Sequence, residues 1–305
     1  MANILDTDVY WLITGESDPN RLTLAARHEY DHETRQHSVP SRDADERTLR
    51  DLHTAYRQAF QLHASPEPLP KSAAQMHDIL GKEFARPFIQ RIETHLGIDV
   101  IRMAELGTAY SFTSTGRRVI AIPATGNWFR ENWSLAHELG HLSGNQSETE
   151  ANAFAAELLL PREAMKQIDW QAISIDRLAD FVWRSGVSTD ALLRRLSAVG
   201  ASTPAHVTAA LSQTTQRLLR RDWHEGSKTL DLITQRTEQA STRRFPLALQ
   251  EAHQDAIAAG RIGPAYLAWM LGVDAETLEL DAPPVADPTL ERVDELAAAL
   301  GLSLT

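Results

Sequence analysis

Two histidines four residues apart, with a glutamate between them, raise the question of what this chain does. In "SLAHELGHLSGNQSETEANAFAAELLLP", His137 and His141 flank Glu138, and Glu148 and Glu150 follow soon after. On an α-helix, positions i and i+4 share a face, so both imidazoles can reach a single ion. Zinc suits such a pair, because neutral imidazole nitrogen binds it at about 2 Å in a low-coordinate, tetrahedral arrangement. Glu138 follows the first histidine directly and lies near the ion without having to bind it. From there its carboxylate can take a proton from an attacking water, the task of a general base.

A catalytic zinc site needs a third protein ligand and one open position. Gly144 and Asn145 break the first helix, and "SETEANAFAAELLL" begins another that Pro161 ends. Ser147 is a good N-cap, and Glu150 three residues on completes a capping box, which gives Glu150 a structural task of its own. Glu148, at the first helical position, is then the freer carboxylate and the expected third ligand. Asn152, four residues later on the same face, is placed to hydrogen-bond and orient a liganding histidine. Glu157 is expected to point to solvent or to pair with a base.

These residues need a scaffold. Upstream, "NWSLA" carries helical apolar spacing into the histidine motif, with Trp133, Leu135, Ala136 and Leu139 available for packing. "DVIRMAE", "AYSFTS" and "RRVIAIPA" are strand-like runs, the third following an "STG" turn and ending at Pro123 and Gly126. Before them, Phe88, Ile89, Ile92 and Leu96 form one face of a helix that Gly97 stops. Residues 1 to about 65 read as helical and polar, with Leu49, Leu52, Tyr56, Phe60 and Leu62 roughly on one stripe, and "SPEPLPKS" punctuates the chain after them. From Trp128 the pattern is helical almost to the end. The expected fold is α+β, a small twisted sheet packed on an active-site helix pair with mainly helical extensions at both ends. The expected domains are residues 1–70, 71–200 and 201–305.

The 305 residues contain no cysteine, so a metal must be held by His, Asp, Glu or carbonyl oxygen, and disulfide scaffolds are excluded. A formal charge of −11 opposes nucleic acid, and the short basic cluster of Arg217, Arg220 and Arg221 reads as a solvated helix face. No stretch has the unbroken apolar length of a membrane helix, and the acidic start does not resemble a signal peptide. A cytoplasmic location is the default expectation. His28 and His32 are also four apart, but no third-ligand helix follows them, and the other scattered histidines read as surface or satisfied residues. "GRIGPAYLAWMLGVDAETLEL" reads as two short helices around Gly272, with acidic flanks that favour a protein-binding or core-completing role over DNA.

"SLAHELGHL" followed by "ETEANAFAAELLLP", and preceded by "RRVIAIPA", resembles the ImmA/IrrE family of zinc metallopeptidases. The resemblance runs from about Pro87 to Leu196 and includes "LADFVWRSGVSTDALLRRL", similar to the helix-turn-helix-like pair these proteins carry after the active site. It implies a gluzincin-like site with Zn2+ on His137, His141 and Glu148, the Glu148-to-Asn152 spacing matching the family pattern. The linker "LSGNQS" is shorter than the insert the family often has there, which leaves Glu150 as an alternative ligand. The family's substrates imply cleavage of a helix-turn-helix repressor, with Val119, Ile120, Ala121 and Ile122 as a strand that pairs with the substrate backbone. An oxyanion donor is also expected; Tyr110 is a guess that the sequence does not single out. Near the start, "TDVYWLITGESDP" resembles the exit of a repressor-type DNA-binding domain. Two other readings remain open: a regulatory binding module whose zinc is structural, and a DNA-binding regulator.

Overall fold

The "STG" turn organises the sheet. Thr115 and Gly116 both take positive φ, +51° and +81°, the backbone of a two-residue hairpin loop whose twist matches that of the strands it joins. A computed structural model describes residues 23–26, 29–31, 36–38, 42–61, 66–145, 147–224 and 229–278. The first part holds β1 (Thr23–Ala26), β2 (Glu29–Asp31), β3 (Gln36–Ser38), α1 (Arg42–Ala59), α2 (Ala73–Leu80) and α3 (Phe88–Leu96). Then come β4 (Ile98–Met103), β5 (Tyr110–Ser114), β6 (Arg117–Pro123), α4 (Trp128–Leu142) and α5 (Glu148–Leu159). The remaining helices are α6 (Arg162–Lys166), α7 (Ile175–Ser185), α8 (Thr189–Val199), α9 (Ala205–Leu211), α10 (Thr215–Asp222), α11 (Thr229–Ser241), α12 (Leu247–Ala258) and α13 (Ala265–Leu271).

The fold is α+β. Its main sheet has the order β1-β5-β6-β4, with β4 parallel to β6 and the other pairs antiparallel. The two faces bury different helices. On one, α1 packs through Leu49, Leu52 and Tyr56; the Tyr56 hydroxyl donates to Asp99 at 3.0 Å, and Asp45 accepts from the Tyr110 hydroxyl at 2.8 Å. On the other, Val100, Ile120 and Ile122 join the core formed by α2 to α5 and α7 to α11. α4 lies on this second face, because Ser111, opposite Ile120 in the ladder, bonds directly to it.

Three expectations change here. Residues 23–26, 29–31 and 36–38 are strands, where a helical segment was read. β1 is four residues long, and its partner lies more than eighty residues away, so a local pattern carries no sign of it. Second, β6 is interior. Both its edges are hydrogen-bonded, and Val119, Ile120, Ala121 and Ile122 are fully buried, so they offer no edge to a substrate strand. Third, the chain divides into the units Met1–Pro246 and Leu247–Thr305, and the boundaries expected near 70 and 200 both fall inside the first. There α1 is bonded to the sheet, and α10 packs on α7.

Within the second unit, α12 and α13 pack together through Leu249, Ile257, Leu267 and Met270. Gly272 ends α13, and among the described residues a single 3-10 turn, Ala275–Thr277, follows where a second short helix was expected. The "TDVYWLITGESDP" segment and the pair His28 and His32 lie outside the described residues. No described helix is long and apolar enough to cross a membrane.

α4 and α5 approach each other closely at a glycine. A Cβ placed on Gly140 would stand 3.1 Å from Ala151 Cα and 3.3 Å from both Ala151 O and Phe154 Cβ. Gly140→Val must therefore push the two helices apart, and we expect it to destabilise the protein by about 1–3 kcal/mol, read as a lower midpoint in urea denaturation. An unchanged midpoint would show that the contact is loose.

Candidate metal centre

α4 begins at Asn127, whose side chain accepts from Arg130 N, and runs through the histidine motif to Leu142. Its middle is buried on all sides: Leu135, Ala136, His137, Glu138 and Leu139 have no exposed surface. α5 starts at Ser147 with both halves of a capping box in place. Ser147 accepts from Glu150 N at 3.2 Å, and the Glu150 carboxylate accepts from Ser147 N at 3.2 Å. That geometry turns Glu150 towards the helix end and leaves Glu148 to face α4.

Among the described residues, His137, His141 and Glu148 form the group able to hold a metal ion. Their donor atoms are closely spaced: 3.1 Å between the two Nε2 atoms, 3.2 Å from His137 Nε2 to Glu148, and 3.3 Å from His141 Nε2 to Glu148. Four ligands at about 2.0–2.1 Å around a tetrahedral ion stand roughly 3.3 Å from one another, so the donor set fits zinc. Each Nδ1 has its own acceptor, Asn152 Oδ1 at 3.1 Å for His137 and Asn145 O at 2.9 Å for His141. Each Nε2 also hydrogen-bonds Glu148; a metal would take the place of those Nε2 protons and leave the ones on Nδ1, so that both Nε2 lone pairs become available to it.

The two carboxylates are driven in opposite directions. Burial pushes the Glu138 carboxyl up, against the pull of His137 and the hydrogen bond from Ser111. Burial also works to raise Glu148, but hydrogen bonds to His137 and His141 prevail and hold it well below the ordinary carboxylate range. His141 is raised overall: burial lowers it, and its bonds to Glu148 and Asn145 O outweigh that. Glu138 Oε2 accepts from Ser111 Oγ at 2.7 Å, whereas Oε1 is buried with no hydrogen-bond partner among the described residues. A carboxylate so held has one oxygen fixed and one free to work.

Residues 93–197 match the family described as the IrrE N-terminal-like domain, Peptidase_M78. This part of the chain belongs to the ImmA/IrrE family. It is a metallopeptidase-type domain, and the matched segment runs from the end of α3 through α8, so it contains the whole His137, Glu138, His141 and Glu148 cluster. Searches of curated proteins and of solved structures found no match.

In this ImmA/IrrE domain the structure brings together His137, Glu138, His141, Glu148 and Asn152, and leaves Val119, Ile120, Ala121 and Ile122 in the interior of the sheet. Tyr110 is fully buried with its hydroxyl on Asp45, on the sheet face opposite Ser111, so its packing there accounts for it. Glu157 pairs with Arg195. Two contributors went unread in the sequence. Ser111 sits in an alternating strand with no motif around it, and the Asn145 contribution is a carbonyl, which any residue supplies. Asn152→Leu should weaken zinc binding about 10–100-fold, measured by competition with a chromogenic chelator. Glu150→Ala should leave that affinity unchanged and cost only the cap, about 0.5–2 kcal/mol of stability.

Proposed function

We propose that the chain is a zinc-dependent endopeptidase that cleaves a regulatory protein, a helix-turn-helix transcriptional repressor. The observation that carries the reading is the convergence of His137, His141 and Glu148 beside a buried Glu138 with one unpartnered oxygen. When bound there, zinc acidifies water and polarises the scissile carbonyl. Glu138 takes the proton of the attacking water on its free oxygen and returns it to the departing amine, while Ser111 holds the other oxygen still. Asn152 and Asn145 O keep the imidazoles turned so that their Nε2 atoms face the reaction. The Glu148 side chain retains 20% exposure, which marks the open side of the site.

The donor set supports catalysis over a purely structural ion. Structural zinc sites are usually closed by four protein ligands, and the group among the described residues has three. A repressor substrate rests on the family resemblance, and a cytoplasmic setting is part of the same proposal. With β6 interior and β1 laid along β5, substrate recognition falls to side chains around the metal site, to the outer edge of β4 or to displacement of β1.

The test uses the purified full chain and a candidate substrate, a helix-turn-helix repressor from the same source. Cleavage should occur with zinc, stop with a chelator and return when zinc is restored. Glu138→Gln should keep its zinc by elemental analysis and lose cleavage by about 10²-fold or more; a Glu138→Gln protein as fast as the parent would overturn the mechanism.

A further inference from the structure

A second cavity of about 420 Å³ lies within the first unit, and no liganding histidine lines it. Its walls carry five arginines, Arg86, Arg102, Arg236, Arg243 and Arg244, in a chain whose formal charge is −11. Three are neutralised. Arg102 grips Glu131 with bonds of 2.7 and 2.6 Å, Arg244 forks onto Glu93, and Arg243 pairs with Glu105. Arg86 and Arg236 form no ion pair with any described residue; their partners are carbonyl oxygens and aromatic rings.

The two unneutralised cations lie close to each other. Arg236 donates to Ala85 O at 2.7 Å, beside Arg86 in the chain, and its guanidinium carbon lies 4.0 Å from the ring centroid of Trp128 and 5.4 Å from that of Trp183. Arg86 meets the same Trp183 ring at 5.8 Å. Burial first, and repulsion from Arg86 second, draw the Arg236 guanidinium down to about 10. Stacking covers the guanidinium faces, and one strong carbonyl bond uses part of the five-donor edge, so N–H groups remain for an acceptor. Glu131 lines the same cavity and its charge reaches Arg236, but it is gripped by Arg102. Two forks that are not themselves ion-paired suit a dianion with several oxygens better than a single carboxylate.

We propose that this cavity binds a small phosphate-bearing anion, held by the guanidinium edges of Arg86 and Arg236, whose faces lie against tryptophan rings. Inorganic phosphate and a phosphate monoester share the chemistry, and a volume of about 420 Å³ admits either. The site is independent of the peptidase reading, since none of the proposed ligands or the base takes part in it.

Isothermal titration of the full chain at low, matched ionic strength, with sodium phosphate in one arm and adenosine monophosphate in the other, tests it. Saturable binding is expected in at least one arm: equal affinities identify the inorganic ion as sufficient, and tighter binding of the nucleotide shows that the organic part is also held. Arg86→Gln, at an exposed position that does not threaten folding, should weaken binding about tenfold or more, and Arg236→Gln should do the same. Arg236→Lys, which keeps the charge but not the fork, should fall between. No saturable binding in either arm, or binding unchanged in Arg86→Gln and Arg236→Gln, overturns the proposal.

Discussion

The contact between α4 and α5 at Gly140 is the constraint on which the site depends. With hydrogen alone at that position, the backbone of Ala151 comes so near that any side chain there would have to shift it by a few tenths of an ångström. Glu148 precedes Ala151 by three residues and Asn152 follows it directly, so the same approach sets both against the imidazoles of His137 and His141. A helix pair separated by even one methyl group's thickness would lengthen distances that are now 3.1 to 3.3 Å. The tight Gly144 turn and the Ser147 cap, which fix the length and direction of the link between the helices, serve the same geometry.

Within that frame, burial alone does not decide the charge of the two carboxylates. Glu138 and Glu148 both lose water, which raises a carboxyl's affinity for its proton. Glu148 receives hydrogen bonds from two imidazoles and is driven the other way, the condition for a ligand that stays ionised. At Glu138 burial prevails over the charges of His137 and His141 and the hydrogen bond from Ser111, and the carboxyl remains raised, the condition that the proposed proton-transfer role would need. The difference lies in the neighbours and not in the residue type, which is why the strand position of Ser111 matters as much as the helical motif.

Features built from near neighbours were legible in the sequence. The i, i+4 histidines, the Ser147–Glu150 capping box, the Gly97 stop and the Thr115–Gly116 turn each need only a few consecutive residues, and the chemistry of those residues sets the geometry. The cap pointed to Glu148 for the same reason, while the short linker left Glu150 open as an alternative; the donor distances favour Glu148. What was not legible depends on distant partners. β1 pairs with a strand more than eighty residues away, β6 is interior because β4 and β5 flank it, and Ser111 gains its role from a helix that follows in the chain. The arginine cavity joins residues from 86 to 244, and no window of sequence shows which of those guanidinium groups finds a carboxylate.

One helix links these levels. The first turn of α4 is anchored twice, by Glu131 on Arg102 of the sheet and by Asn132, whose amide donates to Ala85 O and Gly186 O, both at 3.0 Å. The histidines begin one to two turns further on, and His137 lies roughly 14 Å along the axis from Trp128. Because an α-helix is stiff over so short a span, anchors at its start fix the rotation of the whole element, and with it the face that the imidazoles present. The buried ion pair and the Asn132 bridge are costly to desolvate, and removing one partner from such a pair leaves an uncompensated charge. Their position at the base of the histidine-bearing helix accounts for that cost: they hold the motif in a single register against the sheet, so that Glu138 meets Ser111 and both histidines meet α5.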